Sequence, residues 1–155
     1  MFQLSKKADY GLIALKHLAQ HAEESVSARQ IADHYHIPAE LLAKVLQRLV
    51  RKGLLVSQQG MNGGYVLARN ARNISALEVI RAIDGPLFIT SCGDEKHGYY
   101  QSPKCNVREP LRKVNESIQQ VLTRISIADM REHPQEAEDT ESKSDRNVLV
   151  TLTTQ

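Results

Sequence analysis

The sequence predicts a mainly α-helical fold that contains one small β-hairpin. Helical spacing of apolar residues recurs through residues 1–84 and again over 106–130, and several of these stretches begin after a serine. Only residues 54–59 and 64–68 form a pair of strand-like runs around a glycine-rich turn. With 155 residues, 41% of them hydrophobic, the chain suits one compact domain with an appendage.

The first helix is predicted to begin after Ser5, whose hydroxyl can cap it, and to end near Ala22. Its apolar face consists of Ala8, Leu12, Leu15, Leu18 and Ala19. Asp9 falls in the first turn, where the helix dipole favours a carboxylate.

Two helices joined by a tight turn are predicted between Ser27 and Gly53. Ser27 caps a short helix over residues 28–35, and the turn at 36–38 ends it, because a residue before proline avoids helical angles. The second helix starts at Pro38, and its predicted buried stripe is Leu41, Leu42, Val45, Leu46, Leu49 and Val50. Its other side carries Ala39, Glu40, Ala43, Lys44, Gln47, Arg48 and Arg51.

The hairpin that follows predicts a winged helix-turn-helix, a module that places its second helix in the DNA major groove. Its turn, residues 60–64, is rich in glycine, but no Lys-Ser/Thr or helix follows as in a phosphate-binding loop. Residues 1–70 contain nine Lys/Arg and five Asp/Glu, whereas residues 131–155 contain three and six. A basic first half fits a phosphate-contacting surface. Simple helix packing and a winged-helix protein-binding module are the alternatives.

The chain divides into four predicted parts: the winged helix-turn-helix domain (1–84), a cysteine-bearing sensor loop (85–105), a dimerisation helix (106–130) and an acidic tail (131–155). A helix over 76–82, capped by Ser75 and stopped at Asp84-Gly85-Pro86, closes the first part. The long helix, capped by Asn106, carries a heptad-like seam that suits pairing with a second copy, with packing inside one chain as the alternative: Leu111, Val114, Ile118, Val121 and Ile125. The tail is predicted to be disordered over 133–146, with a strand over 147–153.

Two cysteines and a histidine give the loop its chemistry. No apolar run reaches the roughly 20 residues of a membrane span, and no signal-peptide pattern opens the chain, so an intracellular protein with reduced thiols is expected. Cys92 and Cys105 flank His97, and thiolates and imidazole are ligands for iron, iron–sulfur clusters and zinc. A redox disulfide or two free thiols are the other possibilities. No nucleophile–base pair, paired carboxylates or His-rich motif indicates an enzyme.

Five motifs together resemble one family. LSKKADYG, the helix-turn-helix, the GMNGGYVLA wing, SALEVIRAIDGP and SIADM are similar to the Rrf-type winged-helix transcriptional regulators of bacteria (IscR/NsrR-like) over about residues 1–130. The SUF-system iron–sulfur assembly regulators are the most similar branch, through IDGP followed by Thr90-x-Cys92. The resemblance implies a homodimeric DNA-binding protein, usually a repressor, that often carries an iron–sulfur cluster controlling its operator affinity. A cytoplasmic location is expected from the absence of a membrane span and a signal pattern.

The resemblance also implies a ligand set. Members commonly place three cysteines in the loop, followed in some by a histidine; this chain lacks the middle cysteine and has Arg108 near the histidine position. In some relatives a carboxylate from the partner's first helix completes the coordination, and Asp9 matches it. Cys92, Cys105, His97 and the partner's Asp9 would hold a cluster, 2Fe–2S rather than 4Fe–4S.

The DNA contacts follow from placing the second helix in the major groove and the hairpin in the minor groove. Ala39, Glu40, Lys44 and Gln47 are expected to reach base edges, and Arg48 and Arg51 phosphates. Gln59, where many relatives have arginine, and Asn62 are expected in the minor groove. The full predicted interface is Ser27, Arg29, Pro38, Ala39, Glu40, Lys44, Gln47, Arg48, Arg51, Gln59, Asn62 and Gly63.

Overall fold

The computed structural model describes residues 3–88 and 107–131. In this part of the chain the α-helices are α1 (Lys6–Gln20), α2 (Ala28–Tyr35), α3 (Ala39–Arg51), α4 (Ala76–Asp84) and α5 (Arg108–Arg124). Strands β1 (Leu55–Gln58) and β2 (Gly64–Leu67) form an antiparallel hairpin, and two short 3-10 turns cover Ala71–Asn73 and Asp129–Arg131. The predicted mainly α fold with a small hairpin is confirmed.

The main core lies between α1, α3 and α4, with α2 packed on α3. Leu15 of α1, Ile31 of α2 and Leu46 of α3 are completely buried in it. α1 begins at its predicted cap: the Ser5 hydroxyl oxygen accepts from the Ala8 amide at 3.1 Å. A smaller cluster around Leu77, Ile80 and Leu87 continues this core toward α5.

The helix-turn-helix forms where the sequence predicts it. Ser27 caps α2 in a reciprocal capping box with Gln30. His36 ends α2 in the left-handed region at φ 54°, and Ile37 behind it is buried. The buried stripe of α3 is narrower than predicted, since Leu41 and Val50 at its edges are only partly buried. Leu42, Val45, Leu46 and Leu49 alone make up its buried centre.

The hairpin is attached to the residues just before α2. Val26 and Tyr65 form an antiparallel bridge, with amide-to-carbonyl distances of 3.1 and 2.9 Å. A Cβ on Gly64 would lie 2.6 Å from the carbonyl carbon and oxygen of Val26, so only glycine permits this approach. The hairpin therefore holds a fixed position beside the helix-turn-helix.

Residues 84–88 return to the start of the chain. The Asp84 carboxylate accepts from the Ser5 hydroxyl at 2.5 Å and from the Ser5 amide at 3.2 Å, so a negative charge lies at the positive end of α1. Leu87 packs with Leu4 and Leu12. The residue range that leads into the cysteine-bearing loop thus lies beside the first turn of α1.

The predicted helix over residues 106–130 is too long at its C-terminal end. α5 begins after its N-cap Val107 and ends at Arg124, with Ile125 in extended conformation. Ser126 and Asp129 bond reciprocally and start a new turn, which explains the earlier end.

Residues 125–131 belong structurally to the winged domain. Ser126 pairs with Ser75 in a β-bridge, and Ile127 is completely buried in the main core. Hydrogen bonds from the Ser126 amide and hydroxyl lower the pKa of the Asp129 carboxyl, which favours the charged form of this cap.

Several predictions fall outside the described residues. These are the cysteine-bearing loop from residue 89 to 106 and the tail from residue 132, with its disordered stretch and terminal strand. Within the described ranges, no helix is long and apolar enough to cross a membrane.

Candidate nucleic-acid interface

One face of α3 is exposed and polar. Glu40, Lys44, Gln47 and Arg51 follow each other at spacings of four, three and four residues, so they form one line along the helix. They lie opposite the buried stripe, and all four are exposed. The line offers a carboxylate, an ammonium, an amide and a guanidinium, which are the side-chain types that bind base edges and phosphates.

The N-terminal end of α3 is open to solvent. Pro38 is the N-cap and provides no side-chain hydrogen bond to the helix. Its carbonyl accepts from the amides of Leu41 and Leu42, at 3.1 and 3.0 Å. The amides of Ala39 and Glu40 precede these bonds, so they and the positive end of the helix dipole are available to a phosphate at an exposed helix end.

Arg48 differs from the other predicted contacts on α3. Its Nε donates to the carbonyl oxygen of Ala82, 2.9 Å away in the last turn of α4. A cation at the negative end of α4 is favoured, so Arg48 fixes α3 against α4. Its contact with phosphate stays a prediction, and would use the remaining guanidinium nitrogens.

The start of α2 provides a second group of predicted contacts. The Ser27 hydroxyl accepts from the Gln30 amide at 3.2 Å, and the Ser27 amide donates to the Gln30 side chain at 2.8 Å. Ser27 thus orders the helix end. Arg29 is 87% exposed and lies 3.8 Å from Asp33, a weak surface pair that leaves the guanidinium accessible.

The tip of the hairpin is exposed and firmly held. Gln59, Met61 and Asn62 all face solvent, and the Asn62 carbonyl accepts from the Ser25 hydroxyl at 2.5 Å. A Cβ on Gly63 would lie 2.6 Å from the Gln58 carbonyl oxygen, so glycine is required at this turn. Gln59 and Asn62 therefore project from a fixed support.

Of the predicted metal ligands, the structure describes only Asp9. Its carboxylate is exposed in the first turn of α1. Cys92, His97 and Cys105 lie outside the described residues. Among the residues that the structure does describe, no group of three or more His, Cys, Asp or Glu side chains is arranged to hold a metal ion.

An exposed polar recognition helix with an open N-terminus, beside an anchored hairpin, defines the class of winged-helix DNA-binding regulators. Residues 4–133 match the family model described as "Rrf2: Iron-dependent Transcriptional regulator", and the chain belongs to this Rrf2 family. It is therefore a transcriptional regulator and not an enzyme. The resemblance predicted from the sequence motifs is confirmed.

Solved structures with similar folds cover nearly the whole chain. T. potens IscR is 31% identical, with a TM-score of 0.71, over 91% of this chain and 94% of that one. B. subtilis CymR, described as the global cysteine regulator, is 26% identical with a TM-score of 0.71, over 84% and 97%. A putative transcriptional regulator from Listeria innocua is 26% identical with a TM-score of 0.72, over 93% and 98%.

Proposed function

We propose that this protein is a homodimeric repressor that binds a pseudo-palindromic operator through α3 and the hairpin. We further propose that an iron–sulfur cluster at the cysteine-bearing loop controls its operator affinity, and that its targets include iron–sulfur assembly genes. The observation that carries the DNA-binding part is the exposed line on α3 beside an open helix N-terminus. Such a regulator acts in the cytoplasm, where the DNA is.

In this proposal α3 of each subunit enters a major groove, and the two helices lie about 34 Å apart on one face of the duplex. Glu40, Lys44 and Gln47 reach base edges, whereas Arg51 binds phosphate. Gln59 and Asn62 enter the neighbouring minor groove. Because the Val26–Tyr65 bridge joins the hairpin to the start of α2, both grooves are contacted by one rigid unit.

The dimer proposal is supported by α5. Ile118 and Leu122 pack against α4 and the residues before the loop, which accounts for one side of the helix. Val107, Val114 and Val121 recur every seventh residue and are 51%, 47% and 56% exposed. Valines at this spacing form a stripe that a second copy of the same helix can cover.

The proposed cluster ligands are Cys92, Cys105, His97 and the partner's Asp9. Two thiolates, an imidazole and a carboxylate are a donor set that a 2Fe–2S cluster accepts, and the exposed Asp9 is free to approach a second subunit. A bound cluster would supply redox chemistry, and its presence would depend on cellular iron and oxidants. In the chain itself, the Ser5–Asp84 bonds link the segment before the loop to α1. A change in the loop can thereby alter the winged domain.

A salt titration tests DNA binding. We expect the full chain to bind duplex DNA of its own promoter region with a log–log slope of about −4 to −8, because each phosphate contact contributes about −0.9 and a dimer makes several. The control is a scrambled duplex of equal length, which should bind at least 100-fold more weakly. Equal, weak binding of both duplexes would contradict the proposal and favour the protein-interaction module.

Cys92→Ala tests the cluster. Protein purified without oxygen should contain iron and sulfide and show a visible absorption band, and the variant should lose both, because a cluster needs its thiolate ligands. Ser102→Ala, a change in the same loop that removes no proposed ligand, should keep the band.

Colourless, iron-free wild-type protein would contradict the cluster and favour the second candidate, a cluster-free regulator with a thiol redox switch. That candidate is supported by the presence of two cysteines where cluster-binding relatives commonly have three.

A further inference from the structure

Four aromatic rings connect α1 to the first helix of the helix-turn-helix. The His17 ring stacks on His21 with centroids 4.3 Å apart, and it lies 5.3 Å from His34 and 5.5 Å from Tyr35. His34 and Tyr35 contact each other edge to face at 4.6 Å. We call these four residues the ring cluster. Neither the DNA contacts nor the proposed cofactor ligands include any of them.

His17 is the buried member. Its side chain is 7% exposed, and it is the only buried polar residue in the described part of the chain. Its Nδ1 lies 3.2 Å from the Tyr35 hydroxyl. Burial lowers the pKa of His17 below its ordinary value, and the charges of His21 and His34 lower it further. A neutral imidazole is therefore the form that this site accommodates.

The polar groups around His17 come from the end of α1 and from α2. His21, the C-cap of α1, donates from Nδ1 to the His17 carbonyl oxygen at 2.9 Å, and His34 and Tyr35 come from α2. The elements α3, α4, β2 and the 129–131 turn also pack on α1. Besides burial, the charges that lower the pKa of His17 are those of His21 and His34. A proton on His17 is therefore opposed by burial and by like charge.

The ring cluster lies directly before the turn that orients the recognition helix. Tyr35 is the last residue of α2, followed by His36 in the left-handed region, the buried Ile37 and then α3. A displacement of Tyr35 away from α1 would move this turn. The relative placement of α2 and α3 determines whether both can meet the duplex together.

We propose that the ring cluster makes the DNA-binding conformation depend on protonation. The neutral cluster holds α2 against α1, and uptake of a proton by His17 loosens α2 and weakens DNA binding. This inference rests on the proposed DNA-binding function. The His17–Tyr35 hydrogen bond can survive protonation, because a hydroxyl both donates and accepts. What destabilises the charged form is its burial beside two other histidines.

The direction of the pH effect follows from the lowered pKa of folded His17. In the unfolded chain the imidazole titrates near 6.5, so the unfolded state binds more protons just below that pH. The contribution of neutral His17 to the stability of the folded state is complete above pH 6.5. It decreases as the pH falls toward the lower pKa of His17 in the folded state. Protonation of surface histidines would change DNA affinity in the opposite direction, because added positive charge strengthens the attraction to phosphate at acid pH. Weaker binding at acid pH is therefore diagnostic.

The test compares operator affinity of the full chain at pH 7.5 and 5.5, at constant ionic strength. Wild-type affinity should fall, by at most about tenfold, which is the limit for one proton taken up over the one pH unit below 6.5. His17→Phe, which keeps a ring in the site, should lose this fall or reverse it. His17→Gln, which stays neutral and can bond Tyr35, is the second variant should the phenylalanine fail to fit. The matched control is His36→Asn, because asparagine tolerates the left-handed angles of this exposed histidine, and it should keep the wild-type fall.

Thermal unfolding without DNA separates this inference from the proposed function. Between pH 7.5 and 5.5 the wild-type Tm should drop further than that of His17→Phe, while His36→Asn follows the wild type. An equal drop in wild type and His17→Phe, or an equal loss of affinity in both, would overturn the role of the ring cluster. Failure of the wild type to bind any duplex at any pH would instead overturn the proposed function, and the unfolding comparison would still decide whether His17 is proton-linked.

Discussion

Lys44→Ala should weaken operator binding by about 2–6 kcal/mol in the dimer, while non-specific binding falls much less. The estimate takes about 1–3 kcal/mol for a base-edge contact, and each dimer loses two such contacts. Lys44 is exposed on the polar face of α3, so its truncation should leave the free energy of unfolding within about 0.5 kcal/mol of wild type. Fluorescence anisotropy with operator and scrambled duplexes measures both affinities.

Two comparison variants make this result interpretable. Arg51→Ala removes a proposed phosphate contact, so both duplexes should lose affinity equally and the salt slope should fall by about two units per dimer. Lys113→Ala removes the same charge as Lys44→Ala from the exposed surface of α5 and should change neither affinity. If Lys44→Ala and Lys113→Ala had equal effects, α3 would not be the recognition helix.

Local sequence patterns predicted most of the winged domain, because its elements begin and end through contacts between neighbouring residues. Ser5, Ser27 and Ser75 all accept from an amide three residues ahead, as their positions before apolar helical patterns indicate. Gly63 is required by the backbone of Gln58 and Gly60, a few residues away. The serine caps and Gly63 therefore need no knowledge of the rest of the fold, whereas Gly64 is required by its distant neighbour Val26.

Contacts between distant residues could not be predicted in this way. Asp84 was expected only to end a helix, whereas it caps α1 through Ser5, 79 residues earlier. Arg48 was expected to contact phosphate, and its bond to Ala82, 34 residues away, depends on how α3 packs on α4. Side-chain chemistry alone does not distinguish these partners from solvent.

Two further features have signals in the sequence. The Ser126-x-x-Asp129 pattern is a capping box, and it indicates that a new turn begins inside the predicted 106–130 helix. Four of the six histidines fall between residues 17 and 36, with His17 four residues before His21, the C-cap of α1. The sequence spacing of these histidines does not specify how α2 packs, and that packing is what brings them together with Tyr35.

The second large effect concerns α5. Val114→Glu combined with Val121→Glu should convert the dimer to a monomer at micromolar concentration, because a symmetric pairing of α5 helices would bury four carboxylates without partners. Both valines are about half exposed in the single chain, so the monomer should remain folded. Analytical ultracentrifugation measures the dissociation, and circular dichroism checks the fold.

DNA binding should weaken when dimerisation is lost, because a monomer places a single α3 in a single half-site. The loss of the second half-site removes the advantage of two linked contacts, and operator affinity should drop by more than about 100-fold. The matched control is Gln120→Glu with Thr123→Glu, which adds the same charge to exposed positions of α5 outside the valine stripe. It should remain dimeric and keep its affinity to within a few-fold.

A valine variant that stayed dimeric would mean that the interface lies elsewhere. A variant that became monomeric yet bound the operator normally would mean that a single winged domain is sufficient. Because α5 returns through Ile127 to the core that holds α1 and α3, a dimer built on α5 also sets the spacing of the two recognition helices.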